Sequence, residues 1–571
     1  MADKFQVTGT NTKAKFKLKL HRGDGMLLLA MDWKNGKPPV DFVGFAIEYR
    51  EPGGDRFYAL KNRISFANQD GSTNPNRLST RFSPIQKFRW THFPRNADMA
   101  GEFEYSVTPV FMNSFGELSY GEPQSAMIGL RRETYSGKLN VTFTRGYVSS
   151  QSFVDRYVSV GPIKDLLPAK SDDGLTFVPS HPKSQEALKW MGFEARECIL
   201  EILDQAIADT NAEVRVVAYD LNEPEIVKRL EKLKKRLRII IDNSGAHGKP
   251  HSAEAQAAER LVLSAGASSV KRQNMGQLQH NKTITVNGPG IKAVICGSTN
   301  LTWRGLYVQA NNAFILYGSK PVNIFVKAFD DYWSNEEPGP FGQTVSAGWQ
   351  NLGITGISAR VSFSPHSASN ALLDEIADDV KDNSSSSLFY SLAFLYQTPG
   401  AMQNAINAVT NSDDVFVYGV SDRKVGGIEL QKPDGNVAPV FPSQLAKDVP
   451  EPFKSEPTGG SGNRMHHKFL VIDFDKPTAR VYTGSYNFSQ TADTKNGENL
   501  LLIRDRRIAV SYMVEALRLF DHYHFRVAQA EAAEKKEKLQ LKRPPSAQGE
   551  KPWWSEHFTS PHRIRDRELF T

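Results

Sequence analysis

Two short patterns stand out because each brings an imidazole, an ammonium and an amide onto one hairpin. His280 and Lys282 open the run Thr283-Ile284-Thr285-Val286, which ends at Asn287 and returns through 293–296 to Gly297-Ser298-Thr299-Asn300. His466 and Lys468 open Phe469-Leu470-Val471-Ile472, which ends at Asp473 and returns through 479–482 to Gly484-Ser485-Tyr486-Asn487. The interval from His to Ser is 18 residues in the first copy and 19 in the second. On a strand, positions i and i+2 share a face, so each His and its Lys point the same way. Gly permits a close approach, and Lys, Asn and Ser can then surround one small anion. Duplication puts two His, two Lys and two Asn around a single site on a twofold axis. Two cations with amide donors suit a phosphoryl group whose charge builds up in the transition state. Two imidazoles facing each other across it supply one nucleophile and one general acid. Converging Lys and His would be costly to hold charged without a ligand, which argues against a purely structural origin.

His-x-Lys-x4-Asp followed by Gly-Ser-x-Asn resembles the signature of the phospholipase D superfamily, over about residues 170–520. The resemblance implies phosphodiester cleavage through a covalent phosphohistidine, with no metal or other cofactor. Its substrates would be lipids or nucleic acids, and its products those of hydrolysis or of phosphatidyl transfer. It makes His280 the nucleophile and His466 the acid that protonates the leaving oxygen and then activates water. Lys282, Lys468, Asn300 and Asn487 would bind the phosphoryl oxygens, with Ser298 and Ser485 assisting. The first copy departs from the pattern, since Asn287 stands where the family has Asp, whereas Asp473 is present. Glu498 adds a carboxylate 11 residues past Asn487, and its first-half equivalent, 11 past Asn300, is Asn311. A carboxylate behind an imidazole fixes its tautomer and stabilises imidazolium. The two histidines should therefore be unequal, with Glu498 orienting one of them. His280, across the interface between the halves, is the candidate, although the sequence does not choose. Asn287, Asp473 and Asn311 are expected as structural positions behind the reacting groups.

The elements that must position these residues form two textures. Residues 13–20 alternate Lys with Ala14, Phe16, Leu18 and Leu20, and short strands with Gly/Pro turns recur through about residue 135. That pattern predicts a small all-β sandwich and resembles a fibronectin type III module. From about residue 170, helices alternate with short apolar strands such as 214–219, 237–241, 388–394 and 415–420. This rhythm predicts an α/β fold with covered sheets. Phe363-Ser364-Pro365-His366 pairs with Phe177-Val178-Pro179-Ser180-His181 as the opening of a duplicated unit. The expected organisation is a sandwich (1–135), a linker (136–169), two similar phospholipase D-type halves about a pseudo-twofold axis (170–345 and 346–526), and a helical, aromatic tail (527–571). A solvated helix is expected over 527–543, with Trp553, Trp554, Phe558 and Phe570 clamped back on the body.

Composition narrows the class further. Hydrophobic residues make up 40% of the 571, enough for real cores and too many for wholesale disorder. Two cysteines, Cys198 and Cys296, exclude a disulfide framework or a four-cysteine zinc site. His247 and His251 sit four apart, but Gly248 and Pro250 spoil a helical face, so a loop is expected there and no metal. His467 should face away from His466 and be structural. No apolar run reaches the ~18 residues of a membrane span, and no secretory signal is evident, so a cytoplasmic location is the expectation. The net charge of +7 resides in residues 1–150, which hold 21 basic and 14 acidic side chains. A basic N-terminal module suits an anionic surface as partner. A phospholipase-type enzyme is the leading reading, because both motifs lie in one chain. A nuclease is the alternative, supported by pI ≈ 9.0. A phosphate-binding protein without turnover is the third, supported by Asn287 and Asn311. The sequence sets no oligomeric state.

Overall fold

The computed structural model describes residues 4–67, 77–146, 153–395, 399–412, 414–422, 428–440 and 465–571. The chain divides into two compact units, one of residues 1–132 with 510–571 and the other of residues 133–509.

The first unit holds two antiparallel sheets. One has the order Gln6–Thr8, Phe16–Arg22, Leu27–Trp33, Arg89–His92. The other has the order Tyr58–Ala59, Phe42–Arg50, Glu102–Met112, Leu118–Tyr120, with Gln124–Gly129 also on Glu102–Met112. Alternation works as the pleat requires: Phe16, Leu18 and Leu20 are buried while Lys17 is exposed. They share a core with Phe45, Ile47, Tyr105 and Val107 of the second sheet. Trp554 lies in the same core, Trp553 stacks on Phe88 with ring centroids 5.3 Å apart, and Arg567 pairs with Asp32. The tail is thus an integral part of this unit. The helix foreseen over 527–543 is instead the end of a longer one, Arg506–Glu534, and the chain has no further helix until Ser555–Phe558 and Pro561–Leu569.

The second unit contains two sheets that share one plan over six strands. The first runs Leu139–Phe143, Asn312–Tyr317, Lys292–Gly297, Lys282–Asn287, Glu213–Ala218, Leu237–Ile241, Val270–Arg272. The second runs Gln350–Asn351, Ser358–Ser364, Glu498–Arg504, Arg480–Gly484, Lys468–Ile472, Ser387–Leu392, Phe416–Asp422, Ile428–Gln431, Val437–Val440. In each, a parallel pair (Glu213–Ala218 with Leu237–Ile241; Ser387–Leu392 with Phe416–Asp422) adjoins the strand that follows His-x-Lys. Helices such as Pro224–Leu233 cover these apolar strands. Pro224 at its start and the Glu223 carboxylate accepting from Ile226 N at 2.8 Å fix where that helix begins.

Two sequence expectations change here. Residues 136–169 include a sheet strand, since Leu139–Phe143 pairs antiparallel with Asn312–Tyr317. This strand is also the true counterpart of Ser358–Ser364. Thr144 N donates to Asn311 O at 2.9 Å, and Ser364 lies in register with Glu498, so the duplicated unit opens at residue 139 rather than at Phe177. Five buried residues without Pro or His carry no periodic signal, and only their ladder reveals them. The halves meet along paired contacts: His466 N donates to Ala310 O (3.1 Å) and Gly497 N to Leu278 O (2.8 Å). Asn312 Nδ2 donates to Thr483 Oγ1 and Asn499 Nδ2 to Asn281 Oδ1, both at 3.0 Å. Among the described residues no helix is long and apolar enough to cross a membrane.

Candidate active site

Each half builds its share of the site from one hairpin. Lys282 and Lys468 are the first residues of their strands, and each ammonium turns back to the carbonyl of its own histidine, Lys468 Nζ to His466 O at 2.8 Å and Lys282 Nζ likewise to His280 O. The return strands end at Gly297 (φ +137°) and Gly484 (φ +139°). A Cβ there would lie 2.5 Å from Asn312 O and 2.2 Å from Asn499 O, so only glycine lets the turn press on the neighbouring strand. The serines that follow are fully buried. Ser298 Oγ meets Asn311 Oδ1 (2.9 Å) and Asn312 Oδ1 (2.8 Å), and Ser485 Oγ accepts from Asn499 N (3.0 Å). Their hydroxyls brace the two turns instead of facing a substrate, which departs from the sequence expectation.

The histidines converge. Their ring centroids lie 6.3 Å apart, with planes at 68°. Each is anchored through Nδ1 by the other half: His280 Nδ1 lies 2.7 Å from Glu498 Oε2, and His466 Nδ1 lies 2.9 Å from Asn311 Oδ1 and 3.1 Å from Ser298 O. A carboxylate and a carbonyl can only accept, so both rings carry their proton on Nδ1 and keep the Nε2 lone pair for chemistry. The imbalance between carboxylate and amide backing is therefore built in, with Glu498 behind His280 and Asn311 behind His466. Asn311 is itself held by Nδ2 donating to Gly305 O at 2.8 Å.

Crowding four nitrogen groups into a buried site depresses their charged forms. Burial lowers the His280 pKa despite Glu498 beside it. Burial, then Lys468 and Lys282, hold His466 well below the ordinary imidazole range. Burial brings Lys282 to about 8 against the pull of Glu498, Asp220 and Asp242. Burial and then Lys282 hold Lys468 well below the ordinary ammonium range. A phosphoryl anion among them would favour every charged form and oppose each shift.

The third motif position lies elsewhere. Asp473, at the far end of its strand, accepts from Ser385 N (2.9 Å), Ser386 N (2.8 Å), Ser387 N (3.2 Å) and Ser385 Oγ (2.7 Å). Burial raises its pKa, but these hydrogen bonds outweigh it and leave the carboxyl below its usual value. Asn287 accepts from Lys292 Nζ at 2.8 Å across its hairpin. Neither reaches a histidine, since at ~3.3 Å per strand residue each sits roughly 20 Å along the chain from its own His. His467 is buried against Phe469 and Phe143, with ring centroids 5.1 and 5.9 Å away.

A cluster around His247, for which the sequence predicted a loop, adjoins Asn300. Asn300 Nδ2 donates to Asp220 Oδ2 at 2.6 Å. His247 Nε2 lies 2.8 Å from Asp220 Oδ1, and its Nδ1 lies 2.8 Å from Asp242 Oδ2. Burial disfavours the His247 charge, but the bonds to Asp220 and Asp242 prevail and raise its pKa to about 10. Asp220, His247 and Glu254 bring ligand atoms within 4.8 Å of one another, the spacing a cation would need, yet both ring nitrogens of His247 are already engaged as those of an imidazolium. His251 is exposed. The available signal was position: Asp220 and Asp242 each follow a strand of the parallel pair, the end of a parallel sheet where ligands bind.

A family described as "Cardiolipin synthase, PLD-like domain" matches residues 203–333 and 405–520, one segment in each half. A phospholipase D from Rickettsia prowazekii (strain Madrid E) is 48% identical over 48 residues, 8% of this chain and 22% of that protein. A mitochondrial cardiolipin hydrolase from Xenopus tropicalis is 41% identical over 63 residues, 11% of this chain and 28% of that protein. The chain therefore spans well under half the length of either relative. A solved structure, phosphatidylserine synthase from Haemophilus influenzae Rd KW20, is similar at 13% identity and a TM-score of 0.40, covering 60% of this chain and 91% of that one.

Because Asp473 satisfies three backbone donors, two of them buried at Ser386 and Ser387, Asp473→Ala is expected to lower stability by about 2–4 kcal/mol in urea unfolding. A depressed carboxyl pKa makes this contribution full above the unfolded value near 3.9 and lost as pH falls through the lower folded value. The difference between wild type and variant should therefore shrink below about pH 4. Equal stability at pH 7 would contradict the role assigned to Asp473.

Proposed function

We propose that this chain, whose two α/β halves are phospholipase D-like domains, is a phosphodiesterase in which both halves complete one site. The carrying observation is the pair of imidazoles 6.3 Å apart, each anchored at Nδ1 from the opposite half and each offering Nε2. That separation suits two groups flanking one phosphorus in an in-line displacement.

In this reading His280 Nε2 attacks phosphorus, and the P–O bond to the leaving alcohol breaks as Nε2–H of protonated His466 delivers its proton to that oxygen. The phosphorylated imidazole of His280 carries positive charge, which the Glu498 carboxylate stabilises. His466, now neutral, takes a proton from water as the water oxygen attacks phosphorus and the P–N bond breaks. An alcohol in place of water gives phosphatidyl transfer. Lys282, Lys468, Asn300 and Asn487 neutralise and orient the phosphoryl oxygens. Both reacting imidazoles, both lysines and both asparagines are present, and Asn287 lies far from the reacting atoms, so its loss of a carboxylate does not favour a binding-only protein.

The relatives named for phospholipids support a phospholipid as substrate. Incubated in EDTA with labelled phosphatidylcholine, plasmid DNA and a single-stranded oligonucleotide, the wild type should release headgroup. His280→Ala and His466→Ala should each lose at least about 10³-fold of that rate. DNA cleavage without headgroup release would establish the nuclease reading. No turnover with retained binding of a phosphate analogue would overturn the enzymatic one.

Asn311 gives a signed pH prediction. A general acid works while protonated, so activity falls as pH rises through its pKa. Asn311→Asp places a carboxylate behind His466 and should move the alkaline limb of the rate profile upward by about 1 unit or more. An unmoved or lowered limb would contradict the role given to His466.

A further inference from the structure

The two asparagines proposed to hold the phosphoryl group are not equivalent. Asn300 is 5% exposed and gives Nδ2 to Asp220, while its Oδ1 has no partner among the described residues. Amide orientation is decided by the partner, and a carboxylate can only accept. The amide is therefore turned by Asp220 and not by its own oxygen. Asp220 is fixed in turn by His247 and His247 by Asp242, each at 2.8 Å. Asp242 Oδ1 accepts from Gln279 N at 2.7 Å, the backbone of the residue before His280, and Asp242 Oδ2 accepts from Ser244 N at 2.9 Å. Tyr219, beside Asp220, packs its ring 4.6 Å from that of His280 and 4.7 Å from that of His247. Five side chains and one amide thus join the Gly-Ser-x-Asn turn to the entry of the His-x-Lys strand.

Among the described residues the second half has no carboxylate at the matching point. Ala218 lies in register with Lys282 and Leu392 with Lys468, so Phe394 occupies the position of Asp220. Asn487 Oδ1 has no partner among the described residues.

We propose that Asp220, His247 and Asp242 form a positioning relay that holds one amide N–H of Asn300 toward the phosphoryl oxygens in the first half. One N–H of Nδ2 is committed to Asp220, and the other stays available for the phosphoryl group. Without Asp220 the amide is free to turn its oxygen toward the anion, which opposes rather than stabilises the developing charge. This inference rests on the phosphodiesterase reading for its kinetic consequence, but its geometry is independent of it.

The test uses the full chain with wild type, Asp220→Ala, Asp220→Asn and His247→Ala, and a generic phosphodiester, bis(p-nitrophenyl) phosphate, beside phosphatidylcholine. Asp220→Ala should lower kcat by about 10–100-fold with KM within roughly threefold, because the lost interaction belongs to the transition state. His247→Ala should lower it less. Asp220→Asn keeps an acceptor for Asn300 and should restore kcat to within roughly fivefold of wild type. A defect in protein folding would lower active-site content without this ordering or rescue. If the wild type turns over neither ester, the phosphodiesterase reading fails, and two other readouts still decide the relay. Nitrogen-15 NMR should show both His247 ring protons bonded and slow to exchange. Orthovanadate should bind Asp220→Ala at least about tenfold more weakly than wild type. Unchanged kcat and vanadate affinity in Asp220→Ala would overturn the proposal. So would stoichiometric zinc binding by the wild type that is lost in His247→Ala, since the cluster would then be a cation site.

Discussion

Everything at the site depends on an exchange of anchors between the two halves. Glu498 of the second half holds the histidine of the first, and Asn311 of the first holds the histidine of the second. Neither half supplies the Nδ1 acceptor of its own imidazole. The contacts between the halves, from Asn312–Thr483 to Gly497–Leu278, are thereby as necessary to the proposed chemistry as the motifs themselves. A shift of one half against the other by one ångström would change both anchors at once, and near-attack geometry tolerates little of that.

The same exchange makes a duplicated scaffold unequal. A strand plan shared over six strands supplies His, Lys, Gly, Ser and Asn twice, but among the described residues a carboxylate sits behind only one imidazole. A full carboxylate stabilises a cationic, covalently modified ring, whereas a neutral amide fixes the tautomer without adding charge. The division of labour proposed between nucleophile and acid rests on this inequality. Asp220 against Phe394 adds a further difference on the first-half side.

How much of this could be read from the chain depended on how local each feature was. The His-x-Lys strands and glycine turns were legible because pleat and turn geometry act over a few residues. The α/β rhythm was legible through whole apolar strands such as 237–241. The strand Leu139–Phe143 was hidden because its defining property is pairing with the distant strand Asn312–Tyr317, Leu139 opposite Leu316 and Phe143 opposite Asn312. The anchor on each histidine was narrowed to Glu498 and Asn311 by spacing, yet which ring each touches depends on the twofold arrangement. Asp220, Asp242, His247 and Gln279 were invisible as a set, since only the ends of two parallel strands bring them together. Asp473 misled in the other direction: motif membership suggested proximity to the reaction, while its hydrogen bonds show it closing a loop.

The central claim is that His280 forms a covalent bond to phosphorus while His466 handles protons. Acid-labile, base-stable phosphoenzyme can be trapped by alkaline quench from a phosphorus-labelled substrate and located by peptide mapping. The account predicts label on the peptide bearing His280, and no label when His280 is replaced by Ala. Label on the peptide bearing His466, or turnover by wild type with no labelled peptide at all, would contradict it.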